Sequence, residues 1–332
     1  MIRVGIDLSP LSQTHAGTAV HIESLLAWLE REPELELKRF AARGDTRLRT
    51  LWLDTAWYLR RLPRAARRAG CDVLHCPTYR APTRSRVPLV VTVHDLAVFR
   101  HPELFNRWSR SYGRAVIPRV VRAARRVIAV SEFTASELVS LLGTSEEKIR
   151  VVPNGVDPLF TQEGAREQGD YVLAVATLEP RKNLRRVLAA TRRAGVELRV
   201  VGGRGWGDTG VEREAPGVRW LGERSREQLA ELYRGARCLV YPSLYEGFGL
   251  PILEAMASGT PVVAGRGGAG EEVAAEAAVL VDPLDEESIA AGIVETEHRR
   301  DELVKRGLER ARAFSWEKSA HATTDVYREA AA

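Results

Sequence analysis

Short apolar runs alternate with amphipathic segments through the first half of the chain. The runs are rich in β-branched residues and too short to be helices, so we predict strands at IRVGIDLS, LELKRFAA, DVLHCP, PLVVTVHDL and RRVIAVSE. Between most of them lie segments with apolar residues at helical spacing, such as GTAVHIESLLAWLE. Nearly continuous apolar strands that alternate with helices indicate a parallel sheet covered on both faces. The pattern therefore predicts an α/β domain over residues 1–160.

The same alternation begins again after a polar, glycine-containing stretch, TQEGAREQGD, of the kind that links domains. Further strands are predicted at YVLAVATLE, VELRVVGG, VRWLG, RCLVYPS, TPVVAG and AAVLVDP. We therefore predict a second α/β domain over residues 161–313, followed by a helix over residues 314–332 that is free to pack on either domain. Two such Rossmann-like domains leave a cleft, and ligands of open parallel sheets bind beyond the carboxyl ends of the strands. We expect the functional site there.

The length of 332 residues agrees with two domains of about 150 residues each. No apolar run approaches the roughly 20 residues of a membrane span. The N-terminus, MIRVGIDLSP, lacks the pattern of a secretory signal. We expect a soluble protein in the cytoplasm, and the three cysteines, an odd number without framework spacing, suit reduced thiols in that compartment.

The segment CDVLHCP brings three candidate metal ligands close together, namely Cys71, His75 and Cys76. Alternate residues of a strand face opposite sides of a sheet, so these side chains are not expected to converge on one ion. We predict that they are buried structural residues. The sequence carries neither another metal-ligand cluster nor a nucleophilic triad, and we expect no metal and no cofactor.

The net charge of +5 and the isoelectric point of about 9.3 favour an anionic partner. Positive charge concentrates in residues 59–68 and 107–126, without a nucleic-acid-binding signature, so we expect no nucleic-acid partner. The segment WLDTAWYLRRLPRAARR combines Trp52, Trp57, Tyr58 and Leu59 with five arginines. That composition suits an interfacial helix that meets a lipid-linked acceptor at the anionic inner face of a membrane. The alternative is an ordinary helix with a solvated arginine face.

Two glutamates stand around the glycines of YPSLYEGFGLPILEAMASGTPVV, residues 241–263. Pro251 suits the first turn of a helix and Gly259 its end, so we predict a helix over residues 251–258. Its free amides, together with those of GFGL, form a positive concavity for a phosphate or a sugar hydroxyl. Glu254 could then accept hydrogen bonds from a ribose diol, and Glu246 would face the other end of the same ligand. The alternative is a helix-dipole contact for Glu254 and a solvated loop acid at Glu246.

The string EGFGLPILEAMASGTPVVAG resembles the E-x7-E signature of glycosyltransferase family 4, retaining enzymes of the GT-B fold. The segments TVHDLAVFRHPELF, VPNGVDPLF, TLEPRKNL and AAVLVDPLDEESIA also resemble recurrent segments of that family, in the same order and over nearly the whole chain. The resemblance implies two Rossmann-like domains facing across a cleft, with a C-terminal helix that crosses back. It also implies that the N-terminal domain binds the acceptor and the C-terminal domain binds a nucleotide-sugar donor.

The resemblance assigns roles to particular residues of this chain. Glu254 matches the ribose-binding glutamate, and the amides of Phe248, Gly249 and Leu250 lie near the sugar hydroxyls and the diphosphate. The implied catalytic residues are His94, which contacts the donor sugar near its reacting carbon, Glu246, which lies beside the sugar, and the diphosphate-binding pair Arg181 and Lys182. Fixed cations at that point would stabilise the charge that develops on the leaving diphosphate.

The loop SPLSQTHAGTAVHI departs from the family pattern because only one of its glycines is present. Gly17 is expected to bring its amide to the phosphate or to the acceptor, whereas His15 and His21 are expected to be surface or packing residues. Asp95, directly after His94, is expected to be structural. In VVGGRGWGDTG the glycines Gly203, Gly205 and Gly207 have the wrong spacing for a nicotinamide site.

The resemblance thus implies a retaining hexosyltransferase that moves a sugar from a nucleotide diphosphate to the hydroxyl of a sugar or lipid-linked acceptor. Because Arg181 and Lys182 already supply positive charge at the diphosphate, we expect the reaction to be metal-independent. The likeness to mannosyltransferase-like members implies GDP-mannose as the donor. A sugar-nucleotide epimerase of the same fold and a non-catalytic sugar-nucleotide-binding protein are the alternatives. An epimerase needs no acceptor, and a binding protein releases no free nucleotide.

Overall fold

The computed structural model describes residues 1–12, 17–43, 46, 52–105, 107–203 and 216–332. The chain forms two compact units. The first consists of Met1–Gly155 together with Trp316–Ala332, and the second of Val156–Ser315. Each unit contains one parallel six-stranded sheet, which confirms the predicted pair of Rossmann-like α/β domains.

The sheet of the first unit has the strand order β2-β1-β3-β4-β5-β6. The strands are β1 Ile2–Asp7, β2 Leu35–Phe40, β3 Val73–Cys76, β4 Leu89–Val93, β5 Arg126–Ala129 and β6 Ile149–Val151. All but β6 fall in the apolar runs that predicted strands; β6 has only three residues and gives no clear pattern. The chain runs from β1 to β2 on one side and then to β3 on the other, so the strand order reverses between β1 and β3.

Helices cover this sheet. They are Gly17–Leu29, Leu62–Arg68, Ala97–Arg100, Arg107–Ala123, Glu132–Leu142 and Trp316–Ala331, with a π-helix at Leu53–Arg61 and 3₁₀-helices at Ser9–Ser12, Pro102–Leu104 and Glu146–Lys148. The C-terminal helix, whose docking the sequence leaves open, belongs to the first unit and contacts Gly17–Leu29 and the central strands. It is fixed there by burial of Trp316 and Tyr327, since each large aromatic side chain removes much apolar surface from water.

The sheet of the second unit has the strand order β12-β11-β10-β7-β8-β9. The strands are β7 Tyr171–Val175, β8 Glu197–Val201, β9 Val218–Gly222, β10 Leu239–Tyr241, β11 Val262–Gly265 and β12 Val279–Val281. The helices are Leu184–Ala194, Arg226–Gly235, Leu250–Ala257, Ala269–Ala274, Glu286–His298 and Arg300–Arg312, with 3₁₀-helices at Pro180–Lys182 and Ala275–Ala277. The strand order reverses between β7 and β10, and the loops after these two strands form a crevice of the kind that binds ligands.

The aromatic residues of the basic segment at residues 52–68 do not form the predicted interfacial face. Tyr58 is only 1% exposed, and its hydroxyl donates to Asp7 Oδ2 over 3.0 Å. Trp52 and Trp57 pack against the core of the first unit. The i to i+5 bonding of the π-helix explains this, because it places Tyr58 on the same side as the buried Leu53. The prediction that Tyr58 meets lipid is therefore wrong.

The opposite face of that segment is strongly basic. Exposed side chains there are Leu59, Arg60, Arg61, Arg64, Arg67 and Arg68. Over the described residues, no helix is long and apolar enough to cross a bilayer.

Candidate active site

The two cations of EPRKN and the loop glutamate of EGFG lie together in the second unit, beyond the carboxyl ends of β7 and β10. Arg181 Nη1 donates to Glu246 Oε2 over 2.9 Å, and Lys182 Nζ donates to Glu246 Oε1 over 2.6 Å. Arg181 Nε also donates to Glu179 Oε2 over 2.7 Å. The side chain of Glu246 is only 11% exposed. Residues that the sequence suggests as separate contacts therefore form one ion-pair network at the point where the strand order reverses.

Charge, rather than burial, decides the ionisation of Glu246. Burial by itself raises the pKa of this carboxyl, but Lys182 and Arg181 outweigh that effect and hold the pKa at about 2. Glu246 is therefore ionised at neutral pH. It neutralises part of the positive charge of the two cations, and an anionic ligand that approaches them competes with this carboxylate.

A short turn holds the basic pair in place. Arg181 and Lys182 lie in the 3₁₀-helix Pro180–Lys182, which ends at Asn183 with a left-handed φ of 59°. Asn183 Nδ2 donates to the carbonyl oxygens of Pro242 and Pro283, over 3.0 and 2.6 Å. The turn is thus tied to the loops after two other strands. Sequence reasoning missed Asn183; its only signal was an asparagine, which tolerates the left-handed conformation, directly after the basic pair.

Glycine and proline shape the loop that follows Glu246. Gly249 has a φ of 115°, a conformation that other residues rarely adopt, and the helix Leu250–Ala257 begins next to it with Pro251 in its first turn. Phe248 is buried, and its ring meets Phe314 edge to face at a centroid distance of 6.0 Å. Within the described residues, the backbone amides of Phe248, Gly249 and Leu250 donate no hydrogen bond. They are available donors at the start of a helix.

The surroundings of Glu254 shift its pKa in the opposite direction to that of Glu246. It is 8% exposed in the helix Leu250–Ala257, and its Oε2 accepts from the Tyr233 hydroxyl over 2.9 Å. Burial raises the pKa of Glu254 to about 7, although the Tyr233 hydrogen bond opposes the rise. From the described residues its Oε1 accepts no hydrogen bond. Two carboxyls eight positions apart are thus held at pKa values near 2 and near 7.

A small open depression lies beside Glu246, between the loops after β10 and β11. Its volume is about 270 Å³ including open solvent, and its lining includes Tyr241, Ser243, Glu246, Gly265 and Arg266. Arg266 is exposed and adds a third cation to this part of the unit. Sequence reasoning did not select Ser243 or Arg266, because neither belongs to a motif that it used.

His94 lies in the first unit, directly after β4. Its Nε2 is 2.9 Å from the carbonyl oxygen of Pro77. A carbonyl only accepts, so Nε2 carries the proton and Nδ1 is left as an acceptor. Burial lowers the pKa of His94, and the ring is therefore neutral at neutral pH. Asp95 accepts from the backbone amide of Ala97 over 3.1 Å, a local structural contact.

The remaining candidates from the sequence lie in the first unit, in the second unit or outside the described residues. Gly17 is exposed and begins the helix Gly17–Leu29, and His21 in that helix is buried rather than on the surface. His15, Gly205 and Gly207 lie outside the described residues. Gly203 follows β8, and a Cβ there would lie 2.2 Å from Glu223 Oε1.

The cysteine and histidine residues of CDVLHCP are buried, as predicted. His75 Nδ1 is 2.7 Å from the Tyr327 hydroxyl, and His75 Nε2 is 2.9 Å from Thr92 Oγ1. Both ring nitrogens are therefore used in structural hydrogen bonds, and Cys71 and Cys76 are free thiols.

Two family models together match nearly the whole chain. The model described as Glycosyltransferase Family 4 matches residues 17–159, and the model described as Glycosyl transferases group 1 matches residues 156–314. The chain is 34% identical over 283 residues to O-antigen chain mannosyltransferase B of Escherichia coli, covering 77% of this chain and 74% of that protein. It is also 34% identical over 281 residues to the MMP alpha-(1->4)-mannosyltransferase of Mycolicibacterium hassiacum, covering 74% of this chain and 66% of that protein.

Similarity to solved structures extends over both units. Sucrose-phosphate synthase from Thermosynechococcus elongatus matches with a TM-score of 0.80 at 19% identity, covering 99% of this chain and 98% of that chain. At 19% identity this match shows a shared fold and no more. That fold agrees with the predicted pair of Rossmann-like domains.

Proposed function

The chain belongs to glycosyltransferase family 4 and is a hexosyltransferase, and from this premise we propose that it transfers mannose from GDP-mannose to an acceptor hydroxyl with retention of configuration. The observation that carries the proposal is the network of Arg181, Lys182 and Glu246 beyond the carboxyl ends of β7 and β10. Two fixed cations suit a diphosphate with a sugar attached to it when they lie beside the amides of Phe248, Gly249 and Leu250, which donate no hydrogen bond within the described part of the chain.

The second domain binds the donor in this proposal. The diphosphate lies against Arg181 and Lys182, while the amides of Phe248, Gly249 and Leu250 donate to the diphosphate and the sugar hydroxyls. Glu246 faces the sugar. Glu254 accepts from the ribose diol through Oε1, which accepts no hydrogen bond from the described residues, and a diol is a suitable partner because it supplies two neighbouring donors.

Catalysis rests on stabilising the departing diphosphate. As the bond between the anomeric carbon and the diphosphate oxygen breaks, negative charge grows on that oxygen, and Arg181 and Lys182 stabilise it. The acceptor hydroxyl attacks the same face of the sugar, and its proton passes to the departing phosphate oxygen. Because the fixed cations already supply positive charge, the reaction needs no divalent metal.

The first domain binds the acceptor and contributes His94. This ring is neutral and keeps Nδ1 as an acceptor, so it can take a hydrogen bond from a hydroxyl of the donor sugar near the reacting carbon. Gly17, at the start of its helix, lies in the segment assigned to the phosphate or the acceptor. The acceptor class in this proposal is a sugar or a lipid-linked glycan.

The choice of mannose is supported by the two mannosyltransferases that are 34% identical to this chain. GDP as the nucleotide follows from the likeness to mannosyltransferase-like members. The cellular location in the proposal is the cytoplasm, with peripheral contact to anionic lipid at the inner membrane face. The exposed arginines of residues 60–68 supply the attraction to that surface.

The experiment is calorimetry of the purified chain against GDP-, UDP- and ADP-sugars, followed by assays of nucleotide release with and without an added acceptor. We expect GDP-mannose to bind with the highest affinity and an alkyl mannoside or a membrane lipid extract to accelerate GDP release. Preference for a UDP- or ADP-sugar would refute the donor. Conversion of the donor sugar without an acceptor would instead indicate an epimerase, and binding without any nucleotide release would indicate a binding protein.

A further inference from the structure

His21 packs directly against His94 inside the first domain. The two rings meet edge to face with a centroid distance of 4.6 Å and an interplanar angle of 84°. His21 is only 4% exposed, and Trp316 packs on it edge to face at 5.8 Å. His94 is therefore held by a neighbouring ring that is itself enclosed.

The orientation of His21 is fixed by one strong contact. His21 Nδ1 is 2.7 Å from Asn154 Oδ1. An amide oxygen only accepts, so Nδ1 carries the proton and Nε2 is left as an acceptor. This hydrogen bond sets both the tautomer and the ring plane of His21.

The other nitrogen of His21 has no structural role in hydrogen bonding. Among the described residues, its buried Nε2 has no partner. A buried acceptor without a partner destabilises a fold, and Nε2 stays in that state even though Asn154 satisfies Nδ1. A histidine at this position therefore calls for an explanation beyond packing.

We propose that His21 is a positioning residue for His94. Asn154 orients His21, and the ring of His21 in turn holds His94 with its Nε2 donating to the Pro77 carbonyl and its Nδ1 kept as an acceptor. The inference rests on the proposed function, in which His94 contacts the donor sugar. Small errors in the placement of such a contact lower the rate of transfer more than the binding of the donor.

Burial, rather than neighbouring charge, keeps both histidines neutral. Among the residues that the structure describes, the titratable groups beside His94 are His21, His75 and Asp95. Burial lowers the pKa of His94, and Asp95 opposes this with a smaller effect. Burial also lowers the pKa of His21 far below its usual value, and a charge on His94 would lower it further. A neutral His21 places no positive charge beside the neutral ring of His94.

The first test replaces the positioning ring. His21→Phe keeps an aromatic edge against His94 but removes the hydrogen bond to Asn154. It removes the unpaired Nε2 and leaves the buried Asn154 Oδ1 without a partner among the described residues instead, so one unpaired acceptor replaces another and the variant is expected to fold. Turnover is measured as GDP release from GDP-mannose, with water or an alkyl mannoside as acceptor. We expect kcat to fall by about tenfold while KM for the donor changes by less than about twofold.

Tyr327→Phe is the matched control. It removes a hydrogen bond of similar length from another buried histidine of the same domain, His75, and leaves His94 and Asn154 untouched. Its kcat is expected to equal that of the wild type. Equal losses of kcat in Tyr327→Phe and His21→Phe would mean that both act through general stability, which overturns the proposal.

The second test changes the charge on His21 without removing its anchor. In Asn154→Asp a carboxylate still accepts from Nδ1, but it raises the pKa of His21 and so favours a protonated ring beside His94. We expect kcat near the wild-type value at pH 8.5 and a progressive loss toward pH 6 that the wild type does not show. A purely structural role predicts the same ratio to wild type at every pH, and that result would overturn the proposal.

His94→Ala distinguishes the proposed sugar contact of His94 from the positioning role of His21. Full turnover in His94→Ala would overturn the sugar contact and, with it, the positioning role. Lost turnover in His94→Ala, combined with wild-type kcat in His21→Phe and a wild-type pH profile in Asn154→Asp, would overturn the positioning role alone.

Discussion

Replacing Glu254 with glutamine is expected to stabilise the second domain at alkaline pH while it weakens nucleotide binding. Burial raises the pKa of Glu254 from its usual 4.5 to about 7, so the folded chain retains a proton that the unfolded chain releases between these values. The stability that comes from this proton is fully present below pH 4.5, falls as the pH rises through about 7, and is lost above it. Glutamine cannot ionise, so the variant keeps its folding stability at the pH values where the wild type loses it.

The magnitude follows from the pKa difference. A gap between 4.5 and about 7, at about 1.4 kcal/mol per pKa unit, corresponds to about 3 kcal/mol at pH 8.5. The side chain is buried, so solvent screening does not reduce this value strongly. For a domain of this size, about 3 kcal/mol corresponds to a shift of roughly 6 to 12 °C in the unfolding midpoint. The amide oxygen of the introduced glutamine would still accept from the Tyr233 hydroxyl.

The assay is scanning calorimetry of the wild type and Glu254→Gln at pH 5 and pH 8.5. We expect similar midpoints at pH 5 and a higher midpoint for the variant at pH 8.5. Glu246→Gln is the control with the opposite sign, since the pKa of that carboxyl is about 2 and its ionised form stabilises the fold. That variant should be less stable than the wild type at both pH values.

The Glu254 substitutions are also expected to weaken the binding of the nucleotide. A carboxylate that accepts from the ribose diol makes charge-assisted hydrogen bonds worth about 1.5 to 3 kcal/mol each. Glu254→Gln and Glu254→Ala should therefore weaken GDP binding at pH 8.5 by about 10- to 150-fold. The reasoning is refuted if Glu254→Gln has the same midpoint difference from the wild type at both pH values, or if GDP binds unchanged.

Three further predictions concern the role of Glu246, the independence of the reaction from metal ions, and the basic surface at residues 60–68. Glu246→Gln should bind GDP at least as tightly as the wild type, because Arg181 and Lys182 lose a competing carboxylate, yet turn over GDP-mannose more slowly; weaker GDP binding would show that Glu246 organises the diphosphate site instead. EDTA should leave activity intact and proton NMR of the first product should show the α configuration of the donor; activity restored only by magnesium, or a β-linked product, would contradict the proposed mechanism. The chain should sediment with anionic vesicles at low salt and be released at high salt, since exposed arginines rather than aromatic residues make the contact; Arg64→Glu with Arg67→Glu should reduce binding, and no sedimentation even at low salt would refute it.

The fold follows largely from local sequence patterns. The alternation of short β-branched runs with amphipathic segments predicts two parallel α/β domains, because strand and helix periodicities depend on neighbouring residues alone. The helix Leu250–Ala257 differs by one residue at each end from the predicted 251–258, since Pro251 and Gly259 mark its ends through their own backbone preferences. The prediction of an exposed Tyr58 is wrong because the buried face of its segment depends on more than local composition. A π-helix shifts the buried face of that segment, and composition gives no indication of it.

The candidate site divides in the same way. The E-x7-E spacing and the EPRKN motif single out Glu246, Glu254, Arg181 and Lys182 as candidates, since each motif by itself is a continuous stretch of the chain. Their chemical states depend on contacts that are distant in sequence. The cations that hold Glu246 ionised lie 65 and 64 residues before it, and the tyrosine that contacts Glu254 lies 21 residues before it. The sequence therefore determines which residues can take part, whereas burial and long-range partners in the folded domain decide which carboxyl is ionised and which histidine orients another.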